Sequence, residues 1–191
     1  MRELLSALDF IHSKGVIHRD VKPSNIVVDK EGKLTILDFD LAEFLTPYTK
    51  LNFSVATKGF KAPESFLRQK KYDFRFDIYS AGCILLGILF KESPFFDMKK
   101  DEEVWHSNVL IKGFKDIKAV DKNGVISKDY QEKWGWVKKS NLLDELLRSG
   151  DENASEYAEA IDLAELMTTV DYTKRPMAKE LLAHPFFNEP E

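Results

Sequence analysis

The chain has 191 residues, of which 43% are hydrophobic and 31% are charged, a composition typical of a globular domain with a substantial core. Its 28 lysines and arginines nearly balance 32 aspartates and glutamates, and the net charge of −4 argues against non-specific binding to nucleic acid. The one cysteine, Cys83, leaves no internal disulfide and favours a reducing location inside the cell, in the cytoplasm or the nucleus.

The first half of the chain predicts one helix and one hairpin. Apolar residues recur at helical spacing over residues 3–13, which predicts an amphipathic helix. Two short apolar runs, 26–28 and 34–37, are joined by a glycine-containing connector and predict a β-hairpin. Residues 45–62 show no periodicity and are rich in turn-forming residues, so we expect an extended loop there.

The second half is predicted to be mostly helical. Residues 75–90 are apolar on nearly every face, which is typical of a buried helix, and the apolar run inside them is too short to span a bilayer. A further helix is expected at 101–111. The charged, irregular stretch 112–140 is interpreted as an ordered insertion, and two more helices are expected at 158–167 and 178–183.

One polar cluster lies between the first helix and the hairpin, in the stretch "VIHRDVKPSN". Asp20 and Asn25 are five residues apart, with Lys22 between them and Pro23 stiffening the loop. Asp38 follows across the hairpin, which returns the chain toward the same place. Two oxygen ligands with a lysine nearby suit a Mg²⁺ ion that carries a phosphate, since Mg²⁺ prefers carboxylates supplemented by substrate oxygens.

These residues belong to motifs that resemble the signature set of the protein kinases. The motifs are "HRD" with the following lysine and asparagine, "DF" at 38–39, "APE" at 62–64, "FDIYSAGCIL" and "DYTKRP". Longer stretches, such as "LLSALDFIHSKGVIHRDVKPSN" and "AKELLAHPFF", are similar to the casein kinase 2 catalytic subunit. The resemblance covers essentially the whole chain and is weakest over residues 112–155.

The resemblance implies a serine/threonine protein kinase that uses ATP and Mg²⁺. Asp20 would accept or orient the proton of the substrate hydroxyl, and Lys22 would stabilise charge on the transferred phosphoryl group. The presence of a lysine at this position resembles the motif of serine/threonine kinases rather than that of tyrosine kinases. Asn25 and Asp38 would hold the magnesium ions that bridge the ATP phosphates.

The resemblance also implies supporting roles around this centre. Val27 matches the position that forms the floor under adenine, and Thr57 matches the residue that bridges the catalytic aspartate and lysine. Glu64 is expected to pair with Arg175 as a structural tie. Asp77, at the start of the buried helix, is expected to hold the backbone of the catalytic loop.

The implied fold is protein kinase-like, α+β, with residues 1–191 forming the mainly α-helical C-terminal lobe and a small β-hairpin by the catalytic loop. The catalytic loop would span 18–25, the activation segment 38–64 and the insertion about 112–155. No G-x-G-x-x-G precedes Asp20, so the N-terminal lobe is expected to be absent and the isolated chain to be inactive.

Two positions concern activity and substrate choice. Asp40 stands where the family has glycine, which permits backbone angles that a side chain resists, although aspartate tolerates left-handed angles better than most residues. Lys58 and Lys61 match basic positions that favour acidic substrates in the casein kinase 2 family. Ser54 stands where that family has a further arginine, which weakens this interpretation. The alternative is that the two lysines belong to a solvated surface with no role in substrate choice. Protein substrates and a regulatory subunit are the implied partners.

Two other interpretations stay open. A kinase lobe of this kind can act as a non-catalytic interaction module, which the missing N-terminal lobe favours and the intact Asp20, Lys22, Asn25 and Asp38 disfavour. An unrelated Mg²⁺-dependent nucleotide hydrolase is disfavoured by the "APE" motif and its expected arginine partner.

A separate point concerns the two aspartates of "DFD" at 38–40. An aspartate after an apolar run usually ends a strand, and this interpretation is kept for Asp40 but not for Asp38.

Overall fold

The structure, a computed structural model, describes residues 1–49, 57–69, 73–90, 112–135, 137–138 and 157–188. Its helices are α1 (Arg2–Ser13), α2 (Pro63–Phe66), α3 (Arg75–Phe90), α4 (Phe114–Val120), α5 (Lys128–Trp134), α6 (Ala158–Met167) and α7 (Ala178–Leu181). Short 3₁₀ turns occupy Pro23–Asn25, Lys58–Phe60, Tyr172–Lys174 and Pro185–Phe187. No helix within the described ranges has the length and apolar character needed to cross a membrane.

In the described ranges, four short strands form two small antiparallel ribbons. Strand β1 (Val16–Ile17) pairs with β4 (Glu43–Phe44), and β2 (Ile26–Val28) pairs with β3 (Leu34–Ile36). The β2–β3 hairpin closes through a turn in which the side chain of Asp29 accepts hydrogen bonds from two backbone N–H groups. The ribbons lie at the two ends of the segment that carries the polar cluster.

Helix α3 is the centre of the main core. Every residue from Phe76 to Leu86 is buried, as expected for a helix that is apolar all round. Helices α1 and α6 pack against it, α7 packs against α1, and α1 presents a buried face of Leu4, Leu5 and Leu8. Through Asp77, the central helix of this core contacts the backbone at residues 18 and 19 of the polar segment.

Helices α3 and α6 approach each other closely at Gly82. A Cβ atom at this position would lie 2.6 Å from Thr168 Cγ2 and 2.9 Å from Met167 Cβ. These distances are shorter than van der Waals contact, so any side chain would separate the two helices. Glycine is therefore required here by the packing of the core.

A second, smaller apolar cluster lies beside the main core. Its buried members are Leu67, Ile117, Val120, Ile126, Val137 and Val170. Helices α4 and α5 supply part of it, and Ser127 caps α5 by accepting a hydrogen bond from the N–H of Tyr130. The structure thus has two short helices where the sequence indicated an irregular stretch. The sequence did not predict them because each helix is only seven residues long and shows little periodicity.

The predicted helices at 3–13, 75–90 and 158–167 and the predicted hairpin are confirmed. Strand β4 and helix α2 were not predicted, because two and four residues are too few to show a period. The helix expected at 101–111 lies outside the described residues, as does Ser54. The limits proposed for the catalytic loop, activation segment and insertion stay predictions.

Candidate active site

The backbone of residues 18–19 is fixed to the core by a buried carboxylate. Asp77, in the first turn of α3, is fully buried and accepts hydrogen bonds from the N–H groups of His18 and Arg19, both at 2.8 Å. Arg19 has a φ of 68°, a left-handed angle that these bonds stabilise. The predicted role of Asp77 in holding this loop is confirmed.

The side chain of His18 connects this loop to the segment after the hairpin. Its Nδ1 atom accepts the N–H of Asp20 at 3.2 Å, and its Nε2 atom donates to the carbonyl of Leu37 at 3.0 Å. Since a backbone N–H only donates and a carbonyl only accepts, these partners require the tautomer with the proton on Nε2. The ring also meets Phe39 edge-on, at 4.7 Å between centroids. His18 is therefore a scaffold residue.

Arg19 ties the loop to the same segment further along. Its Nε atom donates to the carbonyl of Leu41 at 2.6 Å, and its guanidinium lies 3.9 Å from the carboxylate of Glu43. Glu43 was not singled out from the sequence. Its place in the two-residue strand β4, opposite Ile17, brings it near Arg19 and carries no sequence signal.

Four predicted site residues form one hydrogen-bonded network around Asp20. Lys22 Nζ donates to Asp20 Oδ2 at 2.7 Å and to Thr57 Oγ1 at 3.0 Å. Thr57 donates to Asp20 Oδ1 through its hydroxyl at 2.7 Å and its N–H at 3.1 Å. Asn25 Nδ2 donates to the carbonyl of Asp20 at 3.0 Å and to its Oδ2 at 3.2 Å. The structure thus brings Asp20, Lys22, Asn25 and Thr57 together.

The network decides the ionisation of Asp20. Burial raises the pKa of this carboxyl, but the hydrogen bonds from Lys22 and Thr57 and the charge of Lys22 outweigh burial and hold the pKa below its ordinary value. Asp20 is therefore a carboxylate at neutral pH. With so many donors it is a weak base, better suited to orienting a hydroxyl than to removing a proton before the reaction begins.

Asn25 and Asp38 offer oxygen atoms suited to a hard cation. The hydrogen bonds of Asn25 use its amide nitrogen, and they turn its Oδ1 atom away from Asp20. The N–H of Leu37 donates to the carbonyl of Asn25 at 2.8 Å, which brings the chain at Asp38 beside Asn25. The carboxylate of Asp38 is exposed, and from the part of the chain that the structure describes it accepts only a long hydrogen bond, at 3.4 Å, from the N–H of Asp40. An amide and a carboxylate oxygen fit Mg²⁺ that takes further oxygens from a phosphate.

An exposed apolar surface adjoins this polar network. Val27, the residue predicted to lie under adenine, is 49% exposed on β2, where it pairs with Thr35. Val28, Leu37 and Phe39 are also largely exposed. Successive residues of a strand point to opposite sides, so Val27 and Val28 do not share a side, whereas Leu37 comes two residues after Thr35, the partner of Val27, and lies on the side of Val27. We call Val27 and Leu37 the open apolar face. Exposed apolar side chains beside a polar network are typical of a binding surface.

The predicted tie between Glu64 and Arg175 is confirmed. The guanidinium meets both carboxylate oxygens, at 2.8 and 3.0 Å, and both side chains are fully buried. Arg175 also donates to the carbonyls of Arg75 and Thr169 and lies over the ring of Tyr79, 4.9 Å from its centroid. Every charge in this pair is therefore compensated within the core.

The structure bears on two points that the sequence left open. The left-handed backbone angle considered for Asp40 is not adopted there, since the φ of Asp40 is not positive, whereas Asp38 has a φ of 61°. Lys61 is not part of a solvated face: it is buried, with its ammonium 4.9 Å from the ring centroid of Phe66. Cys83 is a core residue, and burial raises the pKa of its thiol to about 12.

His12 was not recognised from the sequence as part of this region. The structure places it in α1, buried, with its Nε2 atom 2.8 Å from Asp77 Oδ2. The signal that pointed to it is its spacing, since His12 lies four residues after Leu8 and seven after Leu5, on the apolar face of the helix.

Comparison with known proteins agrees with this geometry. The sequence profile described as "Protein kinase domain" matches residues 1–187. A probable serine/threonine-protein kinase of Dictyostelium discoideum is 32% identical over 189 residues, which cover 98% of this chain and 31% of the relative. A probable casein kinase II subunit alpha homolog of Encephalitozoon cuniculi is 35% identical over 187 residues, which cover 97% of this chain and 58% of the relative. The chain thus spans well under two thirds of the length of each relative.

Proposed function

The chain belongs to the protein kinase family, and from this premise we propose that it carries the catalytic centre of a serine/threonine kinase. The reaction is transfer of the γ-phosphate of Mg-ATP to a serine or threonine hydroxyl of a protein substrate. The observation that carries the proposal is the network in which Lys22 and Thr57 both contact the carboxylate of Asp20. The oxygens of one carboxylate are thereby fixed beside an ammonium group.

In this proposal each residue of the network has a distinct task. Asp20 orients the substrate hydroxyl and receives its proton as the new O–P bond forms and the bond to ADP breaks. Lys22 neutralises charge on the phosphoryl group during its transfer. Thr57 fixes Asp20 and Lys22 relative to each other through its hydrogen bonds to both side chains. Such preorganised charge is the main source of catalysis in phosphoryl transfer.

Asn25 and Asp38 are proposed as the magnesium ligands, and Val27 as the floor under adenine. Mg²⁺ held there would neutralise the charge of the ATP phosphates. The exposed carboxylate of Asp38 and the amide oxygen of Asn25 support this proposal. Within the described residues, neither oxygen donor contacts a lysine or arginine side chain, so both are available to a metal ion.

The ATP phosphates also need a glycine-rich loop on their other side. These 191 residues contain no G-x-G-x-x-G, so we propose that an N-terminal kinase lobe from outside them closes the ATP cleft and that residues 1–191 alone do not transfer phosphate. Protein substrates, an acidic preference and a regulatory subunit remain proposals from the resemblance. The burial of Lys61 removes one of the two basic positions that suggested the acidic preference.

The test is a phosphoryl-transfer assay with radiolabelled ATP on the chain joined to an N-terminal kinase lobe. We expect Asp20→Asn to lower the rate by about 100-fold or more, because a residue that orients the hydroxyl and takes its proton contributes this much. Asp129→Asn, which changes an exposed aspartate in α5, is the matched control and is expected to stay within about twofold. Equal activity of the two variants would overturn the proposal.

A non-catalytic interaction module is the second candidate, and the open apolar face favours it. Val27 and Leu37 offer the type of surface to which another protein binds. Calorimetry separates the candidates: a kinase with the lobe restored binds Mg-ATP, and Val27→Asp weakens that binding. An interaction module binds a protein through the same face and shows no Mg-ATP binding.

A further inference from the structure

Two short helices end side by side at the second apolar cluster. Helix α2 ends at Phe66 and helix α4 ends at Val120, and the buried side chains of Leu67 and Val120 both belong to that cluster. The last carbonyl groups of a helix have no partner within it, and a helix of one or two turns has little stability of its own. Both ends therefore depend on groups that other parts of the chain supply.

The end of α2 is closed by a backbone turn that leaves two carbonyls unused. The N–H of Arg68 donates to the carbonyl of Ser65 at 3.2 Å, and the N–H of Gln69 donates to the carbonyl of Glu64 at 3.0 Å, which are the two bonds of a Schellman motif. The motif places Arg68 in the left-handed region, with a φ of 48°, at a position where glycine is usual. It uses neither the carbonyl of Leu67 nor that of Arg68.

Side-chain amides join the two helix ends in both directions. Asn123 Nδ2 donates to the carbonyl of Leu67 at 3.0 Å and to that of Arg68 at 2.8 Å. Gln69 Nε2 donates to the carbonyl of Val120, at the end of α4, at 3.1 Å. Because an amide nitrogen carries two hydrogens, Asn123 can serve both of its carbonyls at once. We call Asn123, Gln69 and the three carbonyls that they contact the amide clamp.

The loop that carries Asn123 is shaped by a buried carboxylate. The side chain of Asp121 is fully buried and accepts the N–H groups of Val125 at 2.9 Å and Ile126 at 3.1 Å. Ile126 is itself buried in the second apolar cluster. The loop thus has a defined shape that presents Asn123 to α2. None of the kinase motifs in the sequence includes Asn123, which lies where the resemblance to that family is weakest.

Helix α2 continues directly from the catalytic network. Thr57 donates to Asp20, and the N–H of Phe60 donates to the carbonyl of Thr57 at 3.0 Å. The carbonyl of Phe60 accepts the hydroxyl of Ser80, in α3, at 2.8 Å. The stretch 57–69 is thus held to the main core near its start by α3 and in its middle by the buried pair with Arg175. The amide clamp holds its other end.

We propose that Asn123 is a positioning residue for phosphoryl transfer. It touches neither substrate nor phosphate, and it acts by holding the end of α2, so that the stretch 57–69 keeps Thr57 in contact with Asp20. The region of α4 and α5 thereby supports the catalytic network from outside the main core. The effect on transfer rests on the proposed function, whereas the effect on the stretch 57–69 does not.

The structural part is tested by hydrogen exchange, followed by NMR on the 191-residue chain. Exchange of the Gln69 and Phe60 amides is divided by that of Leu85 in α3, so that a change in global stability cancels. Asn123→Ala removes the donors, and Asn123→Asp places a carboxylate against the two carbonyls; either suffices if the other fails to fold. We expect the ratio to rise about tenfold at Gln69 and about threefold at Phe60, which lies further along the stretch.

Two further variants make this test specific. Asn123→Gln keeps the amide donors, and because position 123 is exposed, the longer side chain has room; both ratios are expected to stay within about twofold of those of the original chain. Asn188→Asp adds the same negative charge at another exposed position and is expected to change neither ratio.

Three results would overturn the proposal. An unchanged ratio at Gln69 in Asn123→Ala and Asn123→Asp would mean that the clamp does not hold the end of α2. A rise at Gln69 without a rise at Phe60 would mean that the effect stops at α2 and does not reach the catalytic network. Equal ratios in Asn123→Gln and Asn123→Ala would mean that the amide donors are not what holds the helix.

The catalytic consequence is measured on the chain joined to an N-terminal lobe. Asn123→Ala is expected to lower kcat by about threefold with the KM for ATP unchanged, and Asn123→Gln to recover most of kcat. A looser stretch 57–69 with unchanged kcat would refute the positioning role. If the unsubstituted fusion folds and transfers no phosphate, the proposed function fails, while the exchange result still decides whether Asn123 holds this stretch.

Discussion

The interior and the open side of this molecule use charged residues in opposite ways. In the interior, Glu64 and Arg175 pair through two bonds, and Asp77 is surrounded by three donors, all of them buried. On the open side, Asp38 is exposed beside the open apolar face, and among the described residues its carboxylate accepts only a long hydrogen bond from the N–H of Asp40.

The difference separates stability from chemistry. A buried charge is tolerated only when its partners are in place, so substitution of one partner leaves an uncompensated charge in the core. A charge that remains open to solvent costs little in the folded protein and is available to a ligand. We therefore expect interior substitutions to unfold the protein, and open-side substitutions to stop the reaction while the fold stays intact.

Arg175→Met is expected to have the largest effect on stability. It leaves the carboxylate of Glu64 buried without its partner, which costs about 3–5 kcal/mol of unfolding free energy. Urea denaturation followed by circular dichroism measures the loss. Lys174→Met is the control, since Lys174 is 77% exposed and 3.8 Å from Asp171. A loss no larger than that of the control would show that the buried pair does not support the fold.

Gly82→Ala is expected to be the next most damaging change. The added Cβ would overlap Thr168 and Met167, and overpacking of this kind costs about 1–3 kcal/mol. Ile88→Ala, on the same helix but 63% exposed, is the comparison and is expected to cost less. The same urea experiment measures both variants, and a stabilised Gly82→Ala protein would contradict the close packing of α3 and α6.

Asp40→Gly tests the open side and is expected to leave stability nearly unchanged. Asp40 is exposed and its φ is not positive, so glycine relieves no strain there. Removing a carboxylate near the phosphates is expected to leave the transfer rate equal or to raise it by up to about threefold in the chain joined to an N-terminal lobe. A large loss of rate would show that Asp40 takes part in the reaction.

Lys22→Met is expected to change the titration of Asp20 with the smallest effect on the fold. The pKa of Asp20 lies below its ordinary value in the folded chain, so Asp20 contributes stability above the unfolded pKa of about 3.9, and that stability is lost as the pH falls through the lowered folded value. Removing Lys22 raises the pKa of Asp20. NMR of the carboxyl carbon measures it, with Lys30→Met as the control. An unchanged titration would mean that Lys22 does not stabilise the carboxylate.

Much of the fold was predicted because its elements carry strong local patterns. The apolar spacing of α1, the continuous burial of α3 and the glycine-containing turn of the hairpin are all local signals. Helices α4 and α5 were missed because seven residues give barely two turns, and their stability comes from the second apolar cluster.

The motifs predicted the site and two of its long-range ties, that of Glu64 to Arg175 and that of Asp77 to the loop backbone, but they did not predict every long-range contact. Spacing placed Asp20, Lys22 and Asn25 together, but the contact of His12 with Asp77 joins residues 65 positions apart. The burial of Lys61 and the left-handed φ of Asp38 are likewise outcomes of tertiary packing. Periodicity and spacing indicate on which face of its own helix or strand a residue lies. They do not indicate which residue of another element it contacts.

Asp38→Asn tests the separation of stability from chemistry most directly, because rate and stability are measured on one protein. In the chain joined to an N-terminal lobe, we expect Mg²⁺-dependent phosphoryl transfer to fall by about 100-fold or more, since a carboxylate ligand of the cation is lost. The free energy of unfolding is expected to change by less than about 0.5 kcal/mol, because the carboxylate is exposed. Full transfer activity, or a loss of stability comparable to that of Arg175→Met, would contradict the account.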